Sequence, residues 1–184
     1  MNKRKHETYW DEKAGLGFMN GYNAVRQSMF DLIKPKFHGN VLDVGAGICL
    51  LYPQIKDRVE SYTMADFTLK FCEEGKKRYP EIETYHASAL NLPFEDKQFD
   101  VSTAIALFRH ILPEDMPKAI SELLRVAKKT IICWSIIPQH CTCPPKVKES
   151  DGFIDVIHNF KDVQKAINKP FCMTKVSRFM VYDI

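Results

Sequence analysis

The sequence predicts an α/β protein: a doubly wound, mostly parallel sheet with helices on both faces. Three observations predict it. The apolar run Val41-Leu42-Asp43-Val44 breaks into Gly45-Ala46-Gly47, which reads as a buried strand ending in a tight turn. A second apolar stretch, Ser61 to Ala65, ends at Asp66, nineteen residues past Gly47, an interval typical of successive parallel strands in nucleotide-binding units. Strand-like and helix-like patterns then alternate as far as Ile137.

Taken in order, residues 1 to about 17 are polar and read as irregular or partly helical. Tyr22, Val25, Met29, Leu32 and Ile33 recur at helical spacing until Pro35 stops the pattern. After the first strand and its glycine turn, a short helix is expected from Ile48 to Asp57, limited by Pro53. Thr68 has the side chain of an N-cap and opens a helix to Tyr79. Ile82–Ala87 and Phe99–Ile105 read as the third and fourth strands. Met116, Ala119, Ile120, Leu123, Leu124 and Ala127 form one apolar stripe, with Pro113 and Pro117 at its start and Lys128-Lys129 at its end. Thr130–Ile137 is apolar on both faces, as a central parallel strand should be. In the tail, 138–152 reads as a loop, Phe160–Asn168 as a helix and Met173–Met180 as a strand.

Bulk properties narrow the function. At 184 residues and 45% hydrophobic, the chain is expected to form one domain around a sizeable core: an N-terminal helix region at 1–37, a core at 38–137, and a loop, helix and last strand at 138–184. A formal charge of +3 falls short of the basic face of a nucleic-acid binder. No run of eighteen apolar residues and no signal-like leader is present, so a cytoplasmic protein with no membrane span is expected. Its six cysteines then read as reduced thiols.

The glycine turn, Asp66, and the segment Leu92-Pro93-Phe94-Glu95-Asp96-Lys97-Gln98-Phe99-Asp100 stand in one order and spacing. In that set the chain resembles the class I S-adenosylmethionine-dependent methyltransferases, over roughly residues 38 to 135, especially the small type with an L-P-F-x-D-x-x-F-D segment. The resemblance implies a Rossmann-like fold, S-adenosyl-L-methionine as cofactor, and a small-molecule methyl acceptor whose identity it leaves open. Because that family usually finishes with two strands and only one is legible here, the C-terminal strand region reads as shortened. A sheet lacking that strand would expose ladder groups that a second copy, in a homodimer, could cover.

Carried onto this sequence, the resemblance assigns Asp43 to anchoring the turn and the amino group of the methionine moiety, and the backbone of Gly45, Ala46 and Gly47 to passing under the ligand. Asp66 would accept both ribose hydroxyls, since a carboxylate offers two acceptor oxygens, and Phe67 would lie on the adenine. Ser88 and Ala89 would contact the base. Here the chain has Ala87-Ser88-Ala89 where the family commonly has G-D-A, and Cys49 where it commonly has a third glycine. Ile105 and Ala106 would line the methyl-transfer end, with His110 as a general base, or as an ordinary cap or surface group, and Arg109 holding an anionic acceptor. Tyr9, Trp10 and Tyr22 are lid candidates, with Tyr9 and Tyr22 offered to the acceptor.

No metal is expected. His140-Cys141-Thr142-Cys143 lacks partners at zinc spacing, and the cysteine cluster of radical enzymes is absent. Two other readings remain. A nicotinamide-dependent oxidoreductase would need a third glycine where Leu50 stands. A non-catalytic S-adenosylmethionine-binding homologue is compatible with Ser88.

Overall fold

A computed structural model of the chain describes residues 3–14, 23–135, 144–176 and 179–184. Seven strands form one sheet: β1 (Asn40–Val44), β2 (Ser61–Asp66), β3 (Glu83–His86), β4 (Phe99–Ile105), β5 (Ala127–Ser135), β8 (Cys172–Val176) and β9 (Phe179–Asp183). Their order across the sheet is β3-β2-β1-β4-β5-β9-β8. The first five pair in parallel, and β9 runs antiparallel to both its neighbours. This is the doubly wound, mostly parallel architecture the sequence predicts.

Helices α2 (Asn23–Ile33), α3 (Tyr52–Ile55) and α4 (Leu69–Arg78) cover one face, and α5 (Met116–Val126) with α6 (Phe160–Ile167) cover the other. The strands sort their side chains accordingly. On β9, Phe179 and Val181 join Met29, Ile33 and Val41, whereas Met180 and Tyr182 join Ile120 and Val163 on the opposite face. Alternating Cβ directions place consecutive apolar residues in two separate cores.

The expected shortening of the C-terminal strands is corrected. The single strand read at Met173–Met180 is two strands, β8 and β9, joined across 177–178. Phe179, Met180, Val181 and Tyr182 are all buried, so this run supplies an interior strand rather than a stub. Asp183 at its end pairs with Lys36 at 2.6 Å and Lys129 at 3.0 Å. The ladder offered to a second copy is therefore filled from within the chain.

Two further expectations change. The helix read from Ile48 to Asp57 reduces to the single turn α3, because Cys49 takes a left-handed conformation (φ 56°) and cannot continue a right-handed helix. The loop read over 138–152 contains β6 (Lys146–Ser150), paired with β7 (Phe153–Ile157). Asp151 and Gly152, both at positive φ, make the two-residue turn. The polar N-terminus includes α1 (Lys3–Ala14), and α5 runs straight into β5, so Lys128 and Lys129 belong to the strand.

Cys49, Cys72 and Cys133 are buried free thiols and Cys172 is an exposed one. Among the described residues no group of three metal-ligating side chains occurs, and no helix is long and apolar enough to cross a membrane. Residues 140–143 and Tyr22 lie outside the described residues.

Candidate functional site

A cavity of about 380 Å³ opens at the carboxyl ends of β1, β2 and β4, where open α/β sheets take their ligands. Its floor is the turn after β1. Gly45 and Gly47 sit at φ 69° and 56°, conformations that cost a residue with a Cβ, and the Gly45 amide donates to the Ala65 carbonyl at 2.7 Å. A Cβ on Gly45 would also lie 2.7 Å from Leu107 Cδ1. Gly45 and Gly47 line the cavity, whereas Ala46 does not.

Asp66, 5% exposed, ends β2 at the cavity wall. Its Oδ2 accepts from the Gly47 amide at 3.0 Å and its Oδ1 from the Thr68 amide at 2.9 Å. Burial pushes its pKa up, and those two amides oppose the shift. Each oxygen keeps a further lone pair for a ligand hydroxyl. Phe67, Ser88 and Ala89 line the wall beside it. The Ser88 Oγ accepts from the Leu90 amide at 3.2 Å, which leaves its own proton and one lone pair for a ligand.

Asp43 lies behind the floor rather than in the wall. It is 3% exposed, and its Oδ2 accepts from the Tyr62 hydroxyl at 2.5 Å. Its Oδ1 is buried with no partner. Burial raises its pKa to about 7, with Tyr62 opposing, Asp66 adding and Arg26 opposing. Arg26, a buried cation on α2, lines the cavity. It is absent from the residues that the sequence singles out, although a signal exists: Arg26 falls three residues before Met29, on the apolar stripe of its helix.

The rest of the cavity is walled by Leu107 and residues 109–112 after β4, by Trp10 of α1, by Phe71 of α4 and by Phe153 of β7. Ile105 and Ala106 also line it, Ala106 at φ 60°. His110 stands among rings, its centroid 4.8 Å from Trp10 and 5.3 Å from Phe153. Its Nδ1 lies 2.7 Å from the Ile154 carbonyl oxygen. A carbonyl only accepts, so Nδ1 is the nitrogen that carries the proton in this contact. Arg109 also faces the cavity, but its charge is met by Asp155 at 2.9 Å. Tyr9 packs against Trp10 and Phe153 from outside the wall, whereas Trp10 lines the cavity.

Residues 41–130 match the family described as "Methyltransferase domain". That match supports a class I S-adenosylmethionine-dependent methyltransferase domain over those residues. Over 103 residues, 56% of this chain, the domain is 34% identical to the demethylmenaquinone methyltransferase of Paenarthrobacter aurescens, 40% of which is covered. It is 41% identical over 58 residues to the 2-phytyl-1,4-naphtoquinone methyltransferase of Nostoc punctiforme, covering 30% of this chain and 24% of that protein. The matches thus span less than half the length of these relatives. The structure of DhpI, solved as its SAH complex, superposes with a TM-score of 0.77 at 10% identity, covering 98% of this chain and 94% of that one. At that identity the likeness speaks for the fold of the methyltransferase domain alone.

Proposed function

We propose that this chain binds S-adenosyl-L-methionine and methylates a small, hydroxyl-bearing aromatic acceptor. One observation carries the reading: a single cavity joins the glycine turn and Asp66 to the His110 imidazole among aromatic rings.

The residues present fit the cofactor. The orphaned, buried Oδ1 of Asp43 suits an ammonium group, and Arg26 suits the carboxylate on the same carbon. The lone pairs left on Asp66 suit a vicinal diol, and Phe67, Ser88 and Ala89, which line the same wall, would hold the base. Side-chain-free backbone at Gly45 and Gly47 lets the ligand lie close. When bound, the cofactor supplies a methyl group on a sulfonium, already activated for displacement.

The chain then has to hold a nucleophile in place, take its proton and exclude water. His110 is oriented to take the proton. The Ile154 carbonyl fixes the ring through Nδ1, and the imidazole is the group in the cavity suited to take the proton of the acceptor hydroxyl. Trp10, Phe71 and Phe153 provide apolar ring faces for the acceptor. Arg109, neutralised by Asp155, supports an uncharged acceptor over an anionic one. The relatives named for quinone substrates accord with a planar aromatic ring.

Calorimetry with S-adenosylhomocysteine and with NAD is the first test, and methyl transfer from labelled cofactor onto phenols, quinols, thiols and carboxylic acids is the second. Binding of the first ligand only, with transfer confined to hydroxylated rings, is expected. Uptake of NAD instead, or transfer to carboxylic acids alone, refutes the proposal.

A further inference from the structure

The carboxylate of Asp43 sits in an apolar core with Val41 of its own strand, Tyr62 and Met64 of β2 and Cys133 of β5. The ionisable groups that face it are Arg26 from α2, Tyr62 and Asp66 from β2, Cys49 from the turn and Cys133 from β5. Of these, Tyr62 bonds it directly, at 2.5 Å to Oδ2. The register Val41↔Tyr62 and Asp43↔Met64 puts Tyr62 two pairs earlier along the ladder than Asp43 and on the same face, so the phenol reaches along the sheet to the carboxylate.

The ring itself is fixed. Tyr62 is 4% exposed, packs 5.0 Å from the ring of Tyr52, and Tyr52 is tied through its own hydroxyl to Glu81 at 2.8 Å. Burial and the nearby Asp43 push the Tyr62 phenol well above its ordinary pKa. It therefore stays protonated and serves Asp43 as a donor only.

We propose that Tyr62 is a positioning residue for the cofactor: by donating to Oδ2 it fixes the Asp43 carboxyl group behind the glycine turn with Oδ1 left to face the ligand's ammonium group. The inference rests on the cofactor reading above and deepens it.

The consequence is a pH-dependent uptake. Burial brings Asp43 to about 7, so a fall in pH through that value protonates the carboxyl and removes its attraction for an ammonium ion. Removing the Tyr62 donor takes away a contact that favours the ionised form, which moves the titration to higher pH.

Two measurements test this on the full chain. Titration of the Asp43 side-chain carboxyl by ¹³C NMR, without ligand, should show Tyr62→Phe titrating about one pH unit above the wild type. Calorimetry with S-adenosylhomocysteine should show binding about fivefold weaker at pH 7 in that variant, since a unit shift lowers the ionised fraction there from about a half to about a tenth, and nearly restored at about pH 8.5. Tyr52→Phe, which keeps the ring packing and loses only the bond to Glu81, should match the wild type in both. An unchanged affinity and pH profile in Tyr62→Phe overturns the proposal while the cofactor reading stands. A wild type that does not bind S-adenosylhomocysteine overturns both.

Discussion

Asp155 accepts from Nε of Arg109 at 3.0 Å and from Nη2 at 2.9 Å, so strand β7 is stapled to the loop that carries His110. Both side chains are about a third exposed, so the pair contributes under about 1 kcal/mol to stability. Asp155→Asn is expected to leave the melting temperature nearly unchanged and to raise the KM of the methyl acceptor several-fold. Arg109→Gln should do the same, and the double variant should be no worse than either alone, as for two members of one contact.

Replacement of His110 by Gln should leave S-adenosylhomocysteine affinity unaltered, since the ring stands at the acceptor end. Turnover is expected to fall about 100- to 10,000-fold, the usual worth of a positioned base. Single-turnover methyl transfer measures it. A variant as fast as the wild type would remove His110 from the chemistry.

For Asp66→Ala, loss of the oxygens offered to the ribose should weaken S-adenosylhomocysteine by about two orders of magnitude, at roughly 1.5–3 kcal/mol per hydrogen bond to a charged group. It also strips the Gly47 and Thr68 amides of their acceptor. The amide hydrogen-exchange rate of Gly47 should therefore rise in the same variant.

Asp43 is predicted to cost stability for the sake of binding. Its folded pKa of about 7 lies above the ordinary 3.8, so between those values the folded chain holds the extra proton. The group favours folding fully below about pH 4, and that advantage is lost as pH rises through about 7. Asp43→Asn should therefore raise the ligand-free melting temperature more at pH 8 than at pH 5, while weakening S-adenosylhomocysteine binding. Calorimetric melts at the two pH values, with and without ligand, check both halves.

Glu122 has the opposite sign. Its bond to Arg125, opposed by burial and helped by the Leu92 amide at 2.8 Å, holds its pKa down at about 2. A depressed carboxyl stabilises the fold above its ordinary pKa and stops doing so as pH falls towards 2. Glu122→Gln should cost about 2 kcal/mol at pH 7 and progressively less below pH 4, read by urea melts across pH. Through Arg125, which donates to the Phe94 and Leu92 carbonyls, this pair ties the Leu92–Asp100 segment to α5.

Several parts of the site are legible in the sequence because local chemistry decides them. Glycines at 45 and 47 announce positive φ, and Asp66 announces itself by its place at the end of an apolar run. The hairpin at 146–157 is equally local, signalled by Asp151-Gly152, a pair that favours positive φ at both turn positions. Its first strand is wholly exposed and shows no apolar alternation, which gives the segment the look of a loop. The helix expected after Gly47 fails at Cys49, whose left-handed backbone is held by the turn around it, from the Ala46 carbonyl accepting its amide at 3.0 Å to the burial of its thiol.

By itself the sequence determined the α/β class, the strand that ends in the glycine turn, and the acid on the next strand. Each of these depends on apolar periodicity and on single-residue backbone preferences, which are properties of short stretches. Only the tertiary structure decided that Phe179–Asp183 slots between β5 and β8, that Arg26 faces Asp43, and that Trp10, His110 and Phe153 share one wall. The last two groupings join residues 17 to 143 positions apart, and a run of sequence carries no record of which distant face will bury it.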